Sequence, residues 1–252
     1  MTASDDPAGR VAIVTGAGRG LGRAMAEGLA QAGCRVIATA ARTPGELAPL
    51  AAAFPELVVT LQADVTDAQA CEACVAAALE RFGRLDILVN NAGRGMRTIA
   101  PEFMVTPTKF WQADVAAWRA LIDTNVNGPF LMARAAVPAM LRAGWGRIIN
   151  ISMNHATMRR VGFSPYGPSK AALESETIIW AQDLAGTGVT VNALLPGGAT
   201  RTGMIPPGLP DAITAGLLDP RIIVPPLLYL ASARSDGVTG RRFTATRWPA
   251  EE

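Results

Sequence analysis

Short apolar runs recur along the chain at residues 11–15, 35–40, 58–62, 87–90, 147–151, 189–195 and 242–245. They lack the polar alternation of a strand with one wet face, so they predict strands of a parallel sheet covered on both sides. The longer stretches between them predict helices at residues 21–32, 44–54, 67–82, 114–143 and 165–184. Thr66-Asp67-Ala68-Gln69 has the form of a capping box. Gly33, Gly83 and Gly144 fall where helices should stop. Strands and helices that alternate in this way, joined by right-handed crossovers, give an α/β fold with one doubly wound sheet. No linker, repeat or low-complexity segment divides residues 1–252, which read as a single domain. Residues 1–9 read as a flexible end. Two loops, 94–113 and 197–220, are long and lie at carboxyl ends of strands, where such sheets bind ligands.

Composition narrows the classes. Half of the 252 residues are apolar, enough for one domain with a large core. A formal charge of +2 implies neither a nucleic-acid nor a membrane-surface partner. No apolar run reaches the roughly 18–20 residues of a membrane span, and the first residues lack the pattern of a secretion signal. Three cysteines argue against a disulfide framework and suit a cytoplasmic protein. Cys71-Glu72-Ala73-Cys74 has no companion Cys or His pair and reads as small residues in a helix, with no metal site expected.

The candidate chemistry lies in two motifs. Thr15-Gly16-Ala17-Gly18-Arg19-Gly20-Leu21-Gly22 follows the first strand and opens the first helix. Glycines in that place let the backbone approach a pyrophosphate, and the helix N-terminus supplies N–H donors. A carboxylate about 20 residues further on would bind the ribose of NAD. Here Ala38-Thr39-Ala40-Ala41-Arg42 has no acid, and Arg19 and Arg42 suit a 2′-phosphate. NADP(H) is therefore favoured over NAD(H), unless Arg42 is only a solvated surface residue. The second motif is Tyr166-Gly167-Pro168-Ser169-Lys170. Its Tyr and Lys share one helix face, and a lysine cation beside a phenol lowers the phenol pKa. That makes Tyr166 usable in proton transfer.

These motifs resemble the short-chain dehydrogenase/reductase family over nearly the whole chain, which implies a Rossmann-type fold and a mostly parallel seven-stranded sheet. Thr15, Gly16, Gly20 and Gly22 match its T-G-x-x-x-G-x-G turn, with Gly18, Arg19 and Leu21 between them. Asp64-Val65 is similar to its adenine-contacting acid, and Asn90-Asn91-Ala92-Gly93 to its N-N-A-G segment beside the cofactor. Ala41 and Arg42 take the position beside the adenosine ribose. Asn125 falls at the family's catalytic asparagine, and Tyr166 and Lys170 match Y-x-x-x-K. Pro196-Gly197 and Thr202 resemble the segment that holds the nicotinamide carboxamide. The resemblance implies hydride transfer between nicotinamide and substrate, with Tyr166 as proton donor or acceptor. Lys170 would tune Tyr166 and bind the ribose hydroxyls, and Asn125 would hold a water linking Lys170 to solvent. It also implies a homo-dimer or homo-tetramer, for which Ile178, Ile179 and Trp180 offer interface residues.

One position departs from the pattern. The family's serine, about 13 residues before the tyrosine, is Met153 here. Ser152 lies one residue upstream, and strand alternation would point it the other way. Asn154, His155, or a Ser152 returned by a bulge could supply the missing donor, or no donor is present. A methionine there softens the pocket and suits a bulky ketone or a C=N bond. His155 is the only histidine. Arg159-Arg160 reads either as solvated surface or as an anchor for an anionic substrate. Met96, Phe103, Met104, Trp111, Met153, Met158, Phe163 and Met204 are candidate walls for a hydrophobic small-molecule substrate. The reading is an NADP(H)-dependent oxidoreductase acting on a hydrophobic ketone or alcohol. The alternatives are an imine reductase on the same scaffold and a cofactor-binding regulator with degraded catalysis.

Overall fold

The computed structural model describes residues 7–208 and 210–250. Its elements are β1 (Val11–Val14), α1 (Gly20–Gln31), β2 (Arg35–Ala40), α2 (Ala48–Ala53), β3 (Val58–Gln62), α3 (Ala68–Phe82), β4 (Ile87–Asn90), α4 (Val115–Ile122), α5 (Gly128–Ala143), β5 (Gly146–Ile151), α6 (His155–Met158), α7 (Tyr166–Asp183), β6 (Val189–Leu195), α8 (Asp211–Thr214), α9 (Val224–Leu230) and β7 (Arg242–Thr244). The strands form one seven-stranded sheet in the order β3-β2-β1-β4-β5-β6-β7. Every neighbouring pair is parallel, so the sheet is wholly rather than mostly parallel. The order reverses between β1 and β4, and a crevice opens at such a switch point.

Strand alternation splits the core in two. In β1, Ala12 and Val14 face a layer that includes Met25, Leu29 and Leu227. Val11 and Ile13 face the opposite layer, with Val75, Met132 and Met140. Both faces are apolar, which is why the strands read as unbroken hydrophobic runs. Cys71 and Cys74 pack inside the second layer. Burial pushes their thiols up to about 12 and about 11, so both stay protonated and unreactive at neutral pH.

Four details depart from the expected elements. The helix expected over 114–143 is interrupted by a wide π turn at Asp123–Asn127, where the Gly128 N–H bonds to the Asp123 carbonyl. Pro129 has no N–H to give the Asn125 carbonyl its α-helical partner, and the chain shifts to the wider bonding. The helix expected at 44–54 begins as a tight 3-10 turn at Pro44–Leu47. The capping box at Thr66 does not form: Asp67 caps α3 through the Gln69 N–H, and the Thr66 hydroxyl donates to Asp64 Oδ1 at 2.8 Å. Helix α9 was not expected, because Pro225 and Pro226 disguise it. Both lie in its first turn, where a missing N–H costs nothing.

Of the end expected to be flexible, residues 1–6 lie outside the described residues. Residues 7–9 make contacts with the turn after α1: the Gly9 N–H bonds to the Gly33 carbonyl and the Cys34 thiol to the Pro7 carbonyl. Among the described residues no helix is long and apolar enough to cross a membrane.

Candidate active site

A cleft of about 540 Å³ opens at the carboxyl ends of β1, β2 and β4. Its lining takes in Gly16, Gly18, Arg19, Gly20, Leu21, Gly22, Ala41, Arg42, Asp64, Val65, Asn91, Ala92, Gly93 and Thr202. The floor is built by side chains acting on backbone. Thr15 Oγ1 accepts the Asn91 and Ala92 N–H groups at 3.0 and 2.9 Å, and Asn91 Nδ2 donates to the Thr15 carbonyl at 2.8 Å. A Cβ on Gly22 would lie 2.1 Å from the Gly16 carbonyl oxygen, so only glycine fits. Arg19, which precedes α1, makes no side-chain cap. The first-turn N–H groups of α1 thus remain free of a capping side chain at the cleft. A glycine cradle beneath an uncapped helix N-terminus fits the diphosphate of a dinucleotide.

The cleft also contains groups that the motifs did not reveal. Glu46, Arg94, Arg97 and Met204 line it. Glu46 comes from the 3-10 turn after β2, and its Oε1 lies 3.5 Å from Arg19 Nη1. Arg97 Nη1 donates to the Gly203 carbonyl at 3.0 Å, joining the two long loops. The signal for Arg94 and Arg97 was present: two cations directly after the Asn-Asn-Ala-Gly segment.

Tyr166, Lys170, Pro196 and Gly197 do not line this cleft. Tyr166 and Lys170 stand one turn apart on α7, and Lys170 Nζ donates to the Ile151 carbonyl at the end of β5, at 2.7 Å. Burial pushes Lys170 down to about 8, against the opposing charge of Glu174. Burial pushes the Tyr166 phenol up to about 12, opposite to the expected lowering. The cause is desolvation, which disfavours the charged phenolate. The Gly197 carbonyl instead accepts Asn154 Nδ2 at 2.8 Å.

Asn125 connects the cleft to α7. It is fully buried in the π turn. Its Oδ1 accepts the Arg94 N–H at 2.8 Å, and its Nδ2 donates to the Arg94 carbonyl and to Ser169 Oγ at 2.9 and 3.0 Å. Ser169 Oγ in turn donates to the Tyr166 carbonyl at 2.7 Å. The Asn125 amide is committed to these contacts, and Pro129 deprives its main-chain carbonyl of a helical donor.

The candidate replacements for the missing serine are engaged elsewhere. Ser152 Oγ donates to Glu174 Oε1 at 2.6 Å, and His155 Nε2 lies 2.8 Å from Glu174 Oε2. Arg242 completes this hub, with Nε on Glu174 Oε1 at 2.9 Å and an Nη2 donor on the Met153 carbonyl at 2.7 Å. Burial raises the Glu174 carboxyl, but the bonds from Ser152, Arg242 and His155 and the Arg242 charge outweigh it and hold the group below its ordinary value. Met153 faces the other way, into an apolar cluster with Met96, Phe103, Met158 and Phe163, against which Met104 and Tyr166 pack. Phe103 and Phe163 meet edge to face at 5.6 Å. Trp111 is not part of this cluster: it is 68% exposed and meets Phe110 edge to face. Met204 lies instead over Gly95, 3.2 Å from a Cβ built there. Arg159 and Arg160 are exposed, with Arg160 over the Phe163 ring.

Comparison with known proteins agrees with this geometry. The family model for short chain dehydrogenase matches residues 10–208. Nodulation protein G of Azospirillum brasilense is 36% identical over 246 residues, covering 92% of this chain and 94% of the relative. The 3-oxoacyl-[acyl-carrier-protein] reductase FabG of Vibrio harveyi is 34% identical over 240 residues, covering 92% and 93%. A solved dehydrogenase/reductase from Sinorhizobium meliloti 1021 superposes with a TM-score of 0.82 at 32% identity, covering 94% of this chain and 93% of that one. With the glycine cradle, the switch-point cleft and the Tyr166–Lys170 pair on one helix face, these matches establish that the chain belongs to the short-chain dehydrogenase/reductase family, as an NAD(P)-dependent oxidoreductase acting on CH–OH and C=O groups.

Proposed function

We propose that this oxidoreductase uses NADP(H) to interconvert a hydrophobic ketone and its alcohol, with Tyr166 donating the proton in reduction and accepting it in oxidation. The observation that carries the reading is the hydrogen-bonded path Arg94–Asn125–Ser169–Tyr166, which ties the rim of the dinucleotide cleft to the start of α7. The bound nicotinamide supplies or accepts the hydride. The glycine turn and the α1 N-terminus would hold the diphosphate, Asp64 and Val65 the adenine side, and Thr202 the carboxamide side. Arg19 and Arg42 line the same cleft, and the end of β2 has no carboxylate, which supports a 2′-phosphate.

A phenol pushed up to about 12 is neutral at pH 7, the form that gives a proton to a developing alkoxide. Lys170, charged below about pH 8, stabilises the phenolate left behind and is the group to reach the ribose hydroxyls. The Asn125 carbonyl would hold the water that returns protons to Lys170. Met153, Phe103, Met158 and Phe163 give the substrate side a soft apolar wall. Such a wall fits a hydrophobic ketone, and the Vibrio harveyi relative is by name a reductase of a 3-oxoacyl group. Ile178 and Ile179 on α7 are about half exposed and would meet a second copy in a homo-oligomer, whereas Trp180 is partly buried and packs against the core.

One observation favours a second reading. Met153 brings no O–H or N–H to the serine position, and Ser152, Asn154 and His155 are bonded elsewhere. An imine needs a carbonyl-polarising donor less than a ketone does. The test is NADPH oxidation against panels of aryl ketones and cyclic imines, with NADH in parallel and Tyr166→Phe as control. Ketone reduction that Tyr166→Phe abolishes supports the first reading. Turnover of imines alone supports the second, and turnover untouched by Tyr166→Phe would overturn the role given to Tyr166.

A further inference from the structure

The end of β2 has no carboxylate, yet the cleft beside it does. The chain turns back through Pro44–Leu47, and this tight turn lays Glu46 directly over the glycine turn. A Cβ built on Gly18 would lie 2.8 Å from Glu46 Oε2 and 2.9 Å from Glu46 Cβ. The other carboxylate oxygen lies 3.5 Å from Arg19 Nη1. The Arg19 guanidinium also lies close to Gly203, where an added Cβ would come 3.3 Å from Arg19 Nε. Arg19 is thus placed between an acid and a loop, at the edge of the cleft where Arg42 also stands.

We propose that Glu46 sets the balance between the two nicotinamide dinucleotides by competing with the cofactor for Arg19 and by presenting its own carboxylate to the ribose. This rests on the cofactor site proposed above. The pair is long and its arginine is 71% exposed, so it exchanges partners readily. A dianionic 2′-phosphate takes Arg19 away from Glu46 and then lies near an uncompensated carboxylate, which weakens its binding. A ribose 2′-hydroxyl has no such conflict, because it can donate to the carboxylate while Arg19 stays paired. Glu46 therefore moderates the preference that Arg19 and Arg42 create, and the enzyme holds NADH as well as NADPH.

The test is direct binding, read by energy transfer from protein tryptophan to the reduced nicotinamide. It uses the full chain as wild type, Glu46→Gln, Arg19→Gln and the double variant, each with NADPH and with NADH at fixed ionic strength. Glu46→Gln is expected to tighten NADPH and weaken NADH, moving the ratio of their dissociation constants roughly tenfold toward NADPH. In the Arg19→Gln background the gain for NADPH should shrink to the part that relief of carboxylate–phosphate repulsion supplies, because the competition for Arg19 has been removed. A ratio unchanged within about twofold, or a parallel loss of both cofactors, would overturn the role of Glu46 and leave the cofactor site standing. Failure of the wild type to bind either dinucleotide would overturn the cofactor site and, with it, the role of Glu46.

Discussion

Gly167, the residue after Tyr166, lies where α7 meets α6. A Cβ built there would sit 1.9 Å from the Met158 carbonyl oxygen and 2.9 Å from its carbon. Ordinary carbon–oxygen contact begins near 3.2 Å, so in Gly167→Ala the two helices must part by more than about 1 Å. The obstacle is backbone on both sides, and no rotamer change relieves it. Met158 and Phe163 belong to the apolar cluster proposed to face the substrate, and Tyr166 packs against that cluster, so the shift reaches both the cluster and the phenol. Overpacking of this kind costs about 1–3 kcal/mol, which in a domain of this size lowers the melting temperature by roughly 2–10 °C. A displacement of about 1 Å at a reacting group costs on the order of 100-fold in rate. Gly167→Ala should therefore lose about two orders of magnitude in kcat/KM for the best ketone substrate. NADPH affinity should change by less than about threefold, since the glycine cradle lies on β1 and α1. Steady-state kinetics, dinucleotide titration and thermal melts on one preparation read all three. Turnover within threefold of wild type at an unchanged melting temperature would refute the argument that the α6–α7 contact positions Tyr166.

Lys170, held at about 8 by burial, should give the reduction rate a falling limb centred near pH 8, seen in kcat against pH at saturating NADPH; a flat profile to pH 10 would exclude an ammonium role. Because its folded value lies below its unfolded one, the charged form is penalised on folding at pH 7, and the penalty fades as pH rises from about 8 toward 10.5. Lys170→Met should then be inactive but more stable than wild type by roughly 3 kcal/mol at pH 7, a gap that narrows in melts at pH 10. Glu174 has the opposite sign: its carboxyl is held low, so it stabilises the fold above its unfolded value and loses that contribution as pH falls through the folded one. The stability advantage of wild type over Glu174→Gln should shrink in a melting series as pH falls below the ordinary glutamate value of about 4.3, and a gap independent of pH would dismiss the ionised hub.

The strands were legible to within a residue or so, because burial on both faces turns each into an unbroken apolar run that few other structures produce. The break at Asp123–Asn127 was not legible, since apolar spacing continues across it and only Pro129 marks the shift in bonding. Helix α9 was lost for a related reason, its two prolines reading as loop. At the site, the motifs located the glycine turn and the Tyr166–Lys170 pair by spacing. They could not show that Ser152, Asn154 and His155 are all drawn to other partners, because Glu174, Gly197 and Arg242 are distant in sequence. Glu46 escaped because a carboxylate was sought at the end of β2, whereas a tight turn brings one back from further along. The direction of the Tyr166 shift was missed because a neighbouring lysine can be read from spacing, whereas the depth of burial cannot.

The bonds between Thr15 and the Asn91–Ala92 backbone join segments about 75 residues apart. A floor made in this way exists only when β1 and β4 are paired, so no partial opening can spare it. Its amides should exchange with solvent only through global unfolding, and heat should remove dinucleotide binding and secondary structure in a single step. The apolar wall over Tyr166 comes mainly from segments outside the sheet and shares none of that cooperativity. One molecule thus joins a rigid half, which cannot change without collapse, to a pliable half whose side chains can be exchanged singly. If the proposed function holds, substitutions among Phe103, Met153, Met158 and Phe163 should redirect which compound is transformed while the glycine cradle and its floor stay intact.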